Sequence, residues 1–202
     1  MYMKKISVKD KNAKNRVSFI IGGSGGQGVL TMGKIIASAA IKQKLEVSCL
    51  PSYGAEMRGG YVYCTIVISS SKGIFSPISS ELDIGIFMNE KSCKMLISYL
   101  KKNAHILINS SLIKNFQNKN FTSYKIPATE IAEQLGDIKN ANMILAGAVG
   151  NIINRHFLKF NISSLYAGVA AIMSDRKMSE KSKKVIKAGW ELIGNGRCPE
   201  KC

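Results

Sequence analysis

The feature that most constrains the fold of this chain is a glycine-dense segment between an apolar run and a helical pattern. Residues 17–21 have the sequence Val-Ser-Phe-Ile-Ile, typical of a buried strand, and apolar residues recur at helical spacing over residues 29–41. Residues 23–28, Gly-Ser-Gly-Gly-Gln-Gly, lie between them. Glycines let backbone N–H groups approach a ligand, and the N-terminus of a helix adds partial positive charge. The segment therefore predicts a strand, a ligand-facing loop and a helix.

Two common nucleotide-binding motifs match this loop incompletely. Its spacing satisfies G-x-G-x-x-G, but a nicotinamide dinucleotide site also requires an acidic residue at the end of the second strand. The acid of the second predicted strand, Glu46, stands at its start. A P-loop requires Lys-Ser/Thr after its last glycine, and Val29 follows Gly28 here. The loop therefore predicts either a site for another ligand, with Gln27 as a contact or a loop cap, or a tight turn without a ligand.

A second polar, glycine-rich segment, residues 51–60, follows the second predicted strand. The carboxyl ends of strands in an open α/β sheet form the edge where ligands bind, so we expect this segment beside the first loop. The guanidinium of Arg58 could hold a carboxylate or phosphate with two parallel hydrogen bonds, or pair with Glu56. The candidate ligand or interface residues of the two loops are Gly23, Gly25, Gly26, Gln27, Gly28, Ser52, Tyr53, Gly54, Glu56, Arg58, Gly59 and Gly60.

The hydrophobic pattern predicts an alternation of strands and helices. Strands are predicted over residues 17–21, 46–50, 61–69, 83–88, 104–109 and 121–126. Helices are predicted over residues 28–43, 89–100, 128–136, 142–156, 162–174 and 179–193. This order predicts an α/β fold, a single three-layer domain with a mostly parallel sheet and a helical C-terminal third. Because residues 51–60 are too short for a crossover helix, strand 61–69 is predicted to be antiparallel to its neighbour or at an edge.

The predicted domain covers residues 17–195, with a basic N-terminal arm over residues 1–16 and a flexible tail over residues 196–202. Within helix 142–156, the small residues Ala146, Gly147 and Gly150 predict close packing, either in the core or against another subunit.

Composition narrows the classes of partner. The chain has 202 residues, enough for one domain with a buried core, and a formal net charge of +16. Its basic residues lack the interleaved aromatic residues of a single-strand binding surface, so no nucleic acid partner is predicted. A lysine-rich overall composition accounts for the charge, with an acidic partner subunit as the alternative. No apolar run could cross a bilayer, and residues 1–16 lack the apolar core of a signal peptide, which predicts a cytoplasmic protein without a membrane contact.

The titratable residues do not form a recognisable catalytic set. Cys49, Cys64 and Cys93 lie in apolar or amphipathic stretches and are predicted to be buried thiols, whereas Cys198 and Cys202 belong to the tail. This cysteine spacing matches neither a structural metal site nor an iron–sulfur cluster. The two histidines, at positions 105 and 156, have no evident carboxylate partner. We therefore predict no catalytic residue and no metal site in this chain.

Taken together, these segments resemble the gamma subunit of the 2-oxoacid:ferredoxin (acceptor) oxidoreductases, and more closely the 2-oxoglutarate and 2-oxoisovalerate types than the pyruvate type. The resemblance includes both loops and covers roughly residues 17–155, with small departures at Ser24 and Ala55. After Arg155 little matches, and nothing is transferred there. The other matching segments are residues 67–69, 74–77, 83–86, 127–132 and 142–144.

The resemblance implies a multi-subunit enzyme that oxidatively decarboxylates a 2-oxoacid to an acyl-coenzyme A and passes the electrons to ferredoxin. The complex would use thiamine diphosphate with Mg, iron–sulfur clusters and coenzyme A, none of them bound by this chain alone. The implied partners are thiamine-binding alpha and beta subunits, with a ferredoxin-like delta subunit as a further candidate. This chain would shape the substrate and coenzyme A region without breaking bonds itself. The alternatives are a stand-alone nucleotide-binding oxidoreductase and a non-catalytic assembly module.

Overall fold

The structure is a computed structural model that describes residues 15–54, 60–73, 76 and 81–195. The predicted tail, most of the predicted arm, and the candidate residues Glu56, Arg58 and Gly59 lie outside these ranges. The elements are β1 (Arg16–Ser24), α1 (Val29–Lys42), β2 (Glu46–Tyr53), β3 (Tyr61–Ser69), β4 (Leu82–Phe87), α2 (Glu90–Leu96), β5 (Leu100–Asn109), β6 (Thr122–Ile126), α3 (Ala128–Gln134), α4 (Ala141–His156), α5 (Ile162–Ile172) and α6 (Arg176–Gly194).

The described strands form one six-stranded sheet in the order β2-β3-β1-β4-β5-β6. Strands β1, β4, β5 and β6 pair in parallel, whereas β3 is antiparallel to both β1 and β2. The predicted α/β fold and the antiparallel direction of β3 are confirmed. Of the two alternatives given for β3, the structure shows the antiparallel direction and not the edge position, because β3 lies inside the sheet and β2 forms its edge. Pro51 explains why β2 is the edge strand, since a residue without an N–H group is tolerated at an edge but not inside a sheet.

The core lies on both faces of the sheet, which confirms the three layers. Strand β1 is buried on both faces, as its continuous apolar run requires. On one face Phe19 and Ile21 pack with residues of α1, α4, α5 and α6. On the other face Ile20 packs with residues of α2 and with Ile113. The larger helical layer is built from the helical C-terminal part of the chain, together with α1.

The small residues of α4 pack inside the chain. A Cβ atom added at Gly147 would overlap the carbonyl oxygen of Ile186 on α6, and one at Gly150 would lie 2.7 Å from Leu165 Cδ1. Ala146 is fully buried. The close packing predicted for this helix is therefore confirmed, and it occurs in the core.

Several element boundaries differ from prediction for local physical reasons. The helix predicted over residues 89–100 ends at Leu96, and a short 3-10 turn leads into β5 at Leu100. Leu100 is buried in the core beside α2, so its apolar side chain belongs to the strand. Helix α6 begins earlier than predicted because the carboxylate of Asp175 caps it, accepting hydrogen bonds from the N–H groups of Lys177 and Met178 at 2.8 and 3.2 Å.

The cysteines are buried as predicted at two positions of three. Cys64 and Cys93 are 1% and 5% exposed. The prediction for Cys49 is wrong, since this residue is exposed. The reason is again the sheet order, because β2 is an edge strand whose side chains are only partly covered.

The two histidines meet on one side of the sheet. His105 lies in β5, where its Nδ1 is 3.1 Å from the Tyr124 hydroxyl and its ring centroid is 4.7 Å from that of His156. Burial, followed by repulsion from His156, lowers the pKa of His105 to about 4, although the charge of Asp83 opposes the shift. Burial and the charge of Arg155 also lower the pKa of His156. Both imidazole rings are therefore neutral at pH 7 and pack against each other.

This pair predicts a loss of stability in mild acid. The unfolded chain protonates His105 at about pH 6.5, but the folded chain does so only near pH 4. The contribution of neutral His105 is therefore complete above pH 6.5 and is lost as the pH falls toward 4. We expect His105→Phe to flatten the dependence of the urea midpoint on pH in this window. His156→Gln removes both the repulsion and the titration of His156 itself, so this variant is expected to retain only the part of the slope that burial of His105 produces. Equal slopes in wild type and His105→Phe would contradict the assignment.

Candidate functional site

The two predicted loops meet at one edge of the sheet. Strands β1 and β2 both run antiparallel to β3, so their carboxyl ends lie beside the amino end of β3. Ser24 pairs with Tyr61 at the end of this ladder. The N–H group of Gly25 donates to the carbonyl of Gly60 at 3.0 Å, and that of Gly54 donates to Tyr61 O at 2.7 Å. The loops are thus joined by backbone hydrogen bonds, across a strand that the sequence analysis had not placed between them.

An open cleft of about 380 Å³ lies where the loops meet. Its lining includes backbone from the glycine loop, the first turn of α1, and side chains from the ends of β2 and β3. The lining residues are Ser24, Gly25, Gly26, Gly28, Val29, Leu30, Thr31, Tyr53 and Val62. Four of the candidate residues therefore reach the cleft, and the first turn of α1 contributes three residues that the sequence analysis did not name as candidates, Val29, Leu30 and Thr31.

The glycine loop has two residues in the left-handed region. Gly26 has φ of 89° and Gly28 has φ of 71°. A Cβ atom added at Gly26 would have no atom of the described residues within 4 Å, so this position is open in the described structure. A Cβ atom at Gly28 would instead overlap the side-chain amide of Asn142. Gly26 is therefore the exposed tip of the loop, and Gly28 is its anchored base.

Gln27 is held by the protein itself. Its Oε1 accepts hydrogen bonds from the Ser24 N–H and from Asn89 Nδ2, both at 2.7 Å. Asn89 Nδ2 also donates to Ser24 Oγ at 2.9 Å, and Asn89 Oδ1 caps α2 through the Ser92 N–H. Of the two roles predicted for Gln27, the structure displays the loop cap. Gly23, a third member of the motif, lies at the buried end of β1 near Val29.

Buried asparagines brace this edge of the sheet. Asn142, at the start of α4, donates from Nδ2 to the Gly28 carbonyl at 3.0 Å, although 114 positions separate the two residues. At the end of β5, Asn109 donates to Thr129 Oγ1 at 2.8 Å. Sequence analysis did not identify Asn89, Asn109 or Asn142 as site residues. The available signal was their place, since two of them directly follow or end a predicted strand of the parallel sheet.

The cleft favours negative charge through its backbone. The first N–H groups of α1 have no acceptor within the helix, and its first turn contains no acidic residue. None of the described lining residues is a carboxylate, imidazole, thiol or amine. Among the described residues there is also no group of three or more His, Cys, Asp or Glu side chains that could hold a metal ion. This arrangement can bind and enclose an anionic or polar group, and its described lining residues offer hydroxyl groups but no carboxylate, imidazole, thiol or amine for proton transfer.

The remaining described candidates lie near the cleft without lining it. Ser52 pairs with Tyr63 in the β2–β3 ladder, and Gly60 is buried where it accepts the bond from Gly25.

In the part of the chain that the structure describes, no helix is long and apolar enough to span a membrane.

Comparison with known proteins identifies relatives over most of the chain. The sequence is 32% identical over 129 residues to the ketoisovalerate oxidoreductase subunit VorA of Methanothermobacter marburgensis, an alignment that covers 64% of this chain and 27% of that subunit. The chain thus spans about a quarter of the length of the VorA proteins that it matches. It is 28% identical to the 2-oxoglutarate synthase subunit KorC of the same organism, over 88% of this chain and 96% of that subunit.

The fold is also that of a solved subunit. The gamma subunit of a keto/oxoacid ferredoxin oxidoreductase from Geobacter sulfurreducens superposes with a TM-score of 0.75 and 22% identity, over 89% of this chain and 99% of that one. The sequence profile of the pyruvate ferredoxin/flavodoxin oxidoreductase family matches residues 18–192. The resemblance seen in the sequence motifs is therefore confirmed, and this chain belongs to the pyruvate ferredoxin/flavodoxin oxidoreductase family.

Proposed function

We propose that this chain is the gamma-type subunit of a cytoplasmic 2-oxoacid:ferredoxin oxidoreductase, in which residues 17–195 form the oxidoreductase domain. The complex converts a 2-oxoacid and coenzyme A to an acyl-coenzyme A with ferredoxin as acceptor. Thiamine diphosphate with Mg and iron–sulfur clusters are held by partner subunits. Support comes from the family match and from relatives such as KorC that have nearly the same length as this chain. The 2-oxoglutarate and 2-oxoisovalerate classes are favoured as substrates by the names of these relatives.

The observation that carries the proposal is the composition of the cleft. It combines the N–H groups of the first turn of α1, glycine backbone and the hydroxyls of Ser24, Thr31 and Tyr53, without a carboxylate, imidazole, thiol or amine among its described lining residues. A wall of this kind binds or encloses a ligand whose chemistry is performed elsewhere. We therefore assign the loops over residues 23–28 and 52–60 to the contact with substrate, coenzyme A or the thiamine-binding subunits.

A stand-alone dinucleotide-binding oxidoreductase is a weaker candidate. Dinucleotide-binding folds place the first two strands side by side in a parallel sheet. Here the antiparallel strand β3 lies between β1 and β2, so the acidic residue that would hold a ribose has no equivalent position. A non-catalytic assembly module is distinguished by the experiment below.

Co-expression with the thiamine-binding alpha and beta subunits of the same genome tests the proposal. We expect the purified chain alone to show no 2-oxoacid-dependent reduction of a viologen dye, even with thiamine diphosphate and coenzyme A added. The co-purified complex is expected to reduce the dye only when both the 2-oxoacid and coenzyme A are present. Turnover by the isolated chain would contradict the proposal. If this chain co-purifies with the alpha and beta subunits but those subunits reduce the dye equally well without it, the chain is a non-catalytic assembly module instead.

A further inference from the structure

Two free thiols lie against each other on the edge of the sheet. Cys49 Sγ on β2 and Cys64 Sγ on β3 are 3.4 Å apart and are hydrogen-bonded. The two residues occupy one face of the β2–β3 ladder at diagonal positions, because Cys49 pairs with Ile66 and Cys64 with Pro51. Cys49 is exposed, whereas Cys64 is 1% exposed. This geometry combines an accessible sulfur with a sheltered partner sulfur in contact with it. It does not depend on the function proposed above.

From this contact we propose that Cys49 and Cys64 are an oxidative modification site, which forms a reversible intrachain disulfide when the protein meets a hydroperoxide. The environment divides the roles of the two sulfurs. The hydrogen bond from Cys64, assisted by the positive charge of Lys34, lowers the pKa of Cys49 to about 7 against the opposing effect of burial. The same hydrogen bond and burial raise the pKa of Cys64. Cys49 is thus the thiolate that reacts, and Cys64 is the thiol that resolves.

The chemistry balances with one equivalent of hydroperoxide. The Cys49 thiolate attacks the peroxide oxygen, the O–O bond breaks, and the products are a Cys49 sulfenic acid and, for hydrogen peroxide, hydroxide that takes up a proton to give water. The Cys64 sulfur then attacks the Cys49 sulfur, which forms the S–S bond and expels the sulfenic oxygen as a second water with the thiol proton. Two thiols are oxidised by two electrons, and the peroxide is reduced. A dithiol reductant reverses the change by thiol–disulfide exchange.

The disulfide has a structural consequence for the neighbouring cleft. Diagonal residues on one face of an antiparallel pair lie about 7–8 Å apart between Cα atoms, which exceeds the 4.4–6.8 Å or so usual for a disulfide. Closure therefore requires β2 to move toward β3. Among the described strands β2 has one neighbour, β3, and Pro51 lies two positions after Cys49, so β2 is the strand able to shift. Its last residue, Tyr53, lines the cleft, so oxidation is expected to displace that wall.

Peptide mapping of the full chain tests the proposal. The background is a variant in which Cys198 and Cys202 are replaced by serine, since these tail thiols could exchange with the pair. Trypsin cleavage after Lys44, Arg58 and Lys72 places Cys49 and Cys64 on separate peptides, residues 45–58 and 59–72. After equimolar hydrogen peroxide we expect these two peptides to be joined, with the loss of two hydrogen atoms, and to separate again in dithiothreitol.

Alkylation supplies the second readout and its control. Cys93 is a buried thiol on α2, on the opposite face of the sheet, and burial raises its pKa to about 11. We expect iodoacetamide at neutral pH to modify Cys49 at least tenfold faster than Cys93. Cys64→Ala should raise the pKa of the Cys49 thiol, measured from the pH dependence of its alkylation. In the same variant the product of peroxide treatment should remain a sulfenic acid on Cys49, which dimedone traps. Cys93→Ala should change neither result. Separate peptides after peroxide treatment, a sulfenic acid that persists with Cys64 present, or disulfides only between two chains would each overturn the proposal.

Discussion

Gly147→Ala is expected to lower the free energy of unfolding of the chain by about 3 kcal/mol or more. The added methyl group would overlap the carbonyl oxygen of Ile186 and lie 2.8 Å from the backbone nitrogen of Trp190. Both atoms belong to the backbone of α6, so no side-chain rotation can relieve the overlap and the two helices must separate. Overpacking a core typically costs about 1–3 kcal/mol of stability when side chains can adjust. Because backbone atoms are in contact here, we expect a cost at or above the upper end of this range. Urea unfolding followed by circular dichroism measures the change.

The same contact provides a reciprocal variant and a matched control. A Cβ atom added at Gly189 would overlap the carbonyl oxygen of Ile144 on α4, so Gly189→Ala is expected to cost as much as Gly147→Ala. Gly194 lies in the last turn of α6, and an added Cβ would meet its nearest neighbour, Asn151 Nδ2, at an ordinary 3.5 Å. Gly194→Ala should therefore be neutral or slightly stabilising, as helix propensity predicts. If all three variants unfold at the same urea concentration, α4 and α6 are not in the close contact described.

The parts of the fold that could be predicted from sequence are those that local pattern determines. The sequence of β1 is a continuous apolar run because this strand is buried on both faces, and the apolar residues of α1 recur at helical spacing because this helix is buried on one face. Each pattern therefore specifies its element without help from the rest of the chain. The short connection over residues 51–60 correctly indicated an antiparallel strand. Its place inside the sheet depends on pairings with β1 and β2 that are distant in sequence, and no local signal reports them.

The candidate site divides in the same way. The glycine loop was predictable because Gly26 and Gly28 provide the positive φ angles that its turn requires. The anchor of that loop, Asn142, was not, because its amide reaches Gly28 only after α4 has packed beside α1. The capping role of Gln27 was likewise not predictable, since it depends on a hydrogen bond from Asn89, the N-cap residue of α2. Polar residues that hold a loop are selected by tertiary neighbours, and a single sequence contains no record of those neighbours.

Gly26→Ala is expected to reduce the activity of the assembled complex about tenfold or more, while the isolated chain still folds. In the isolated chain an added methyl group meets nothing within 4 Å, and the cost is the strain of φ near 89°, about 1–2 kcal/mol. In the complex, the same methyl group would enter the space that we assign to a ligand or a partner subunit. Melting temperature and dye reduction, measured on the same preparation, separate the two effects.

Gly136→Ala is the control that separates an effect at the cleft from the effect of backbone strain. Its φ is 87°, an added Cβ there also meets nothing within 4 Å, and it lies in the turn after α3, outside the cleft. Gly136→Ala should therefore melt at a temperature similar to Gly26→Ala and keep full activity in the complex. Because both variants have the same backbone cost, any difference in activity reports what faces Gly26. Equal activity of the two variants would mean that the tip of the glycine loop meets neither a ligand nor a subunit, and the assignment of this loop would be wrong.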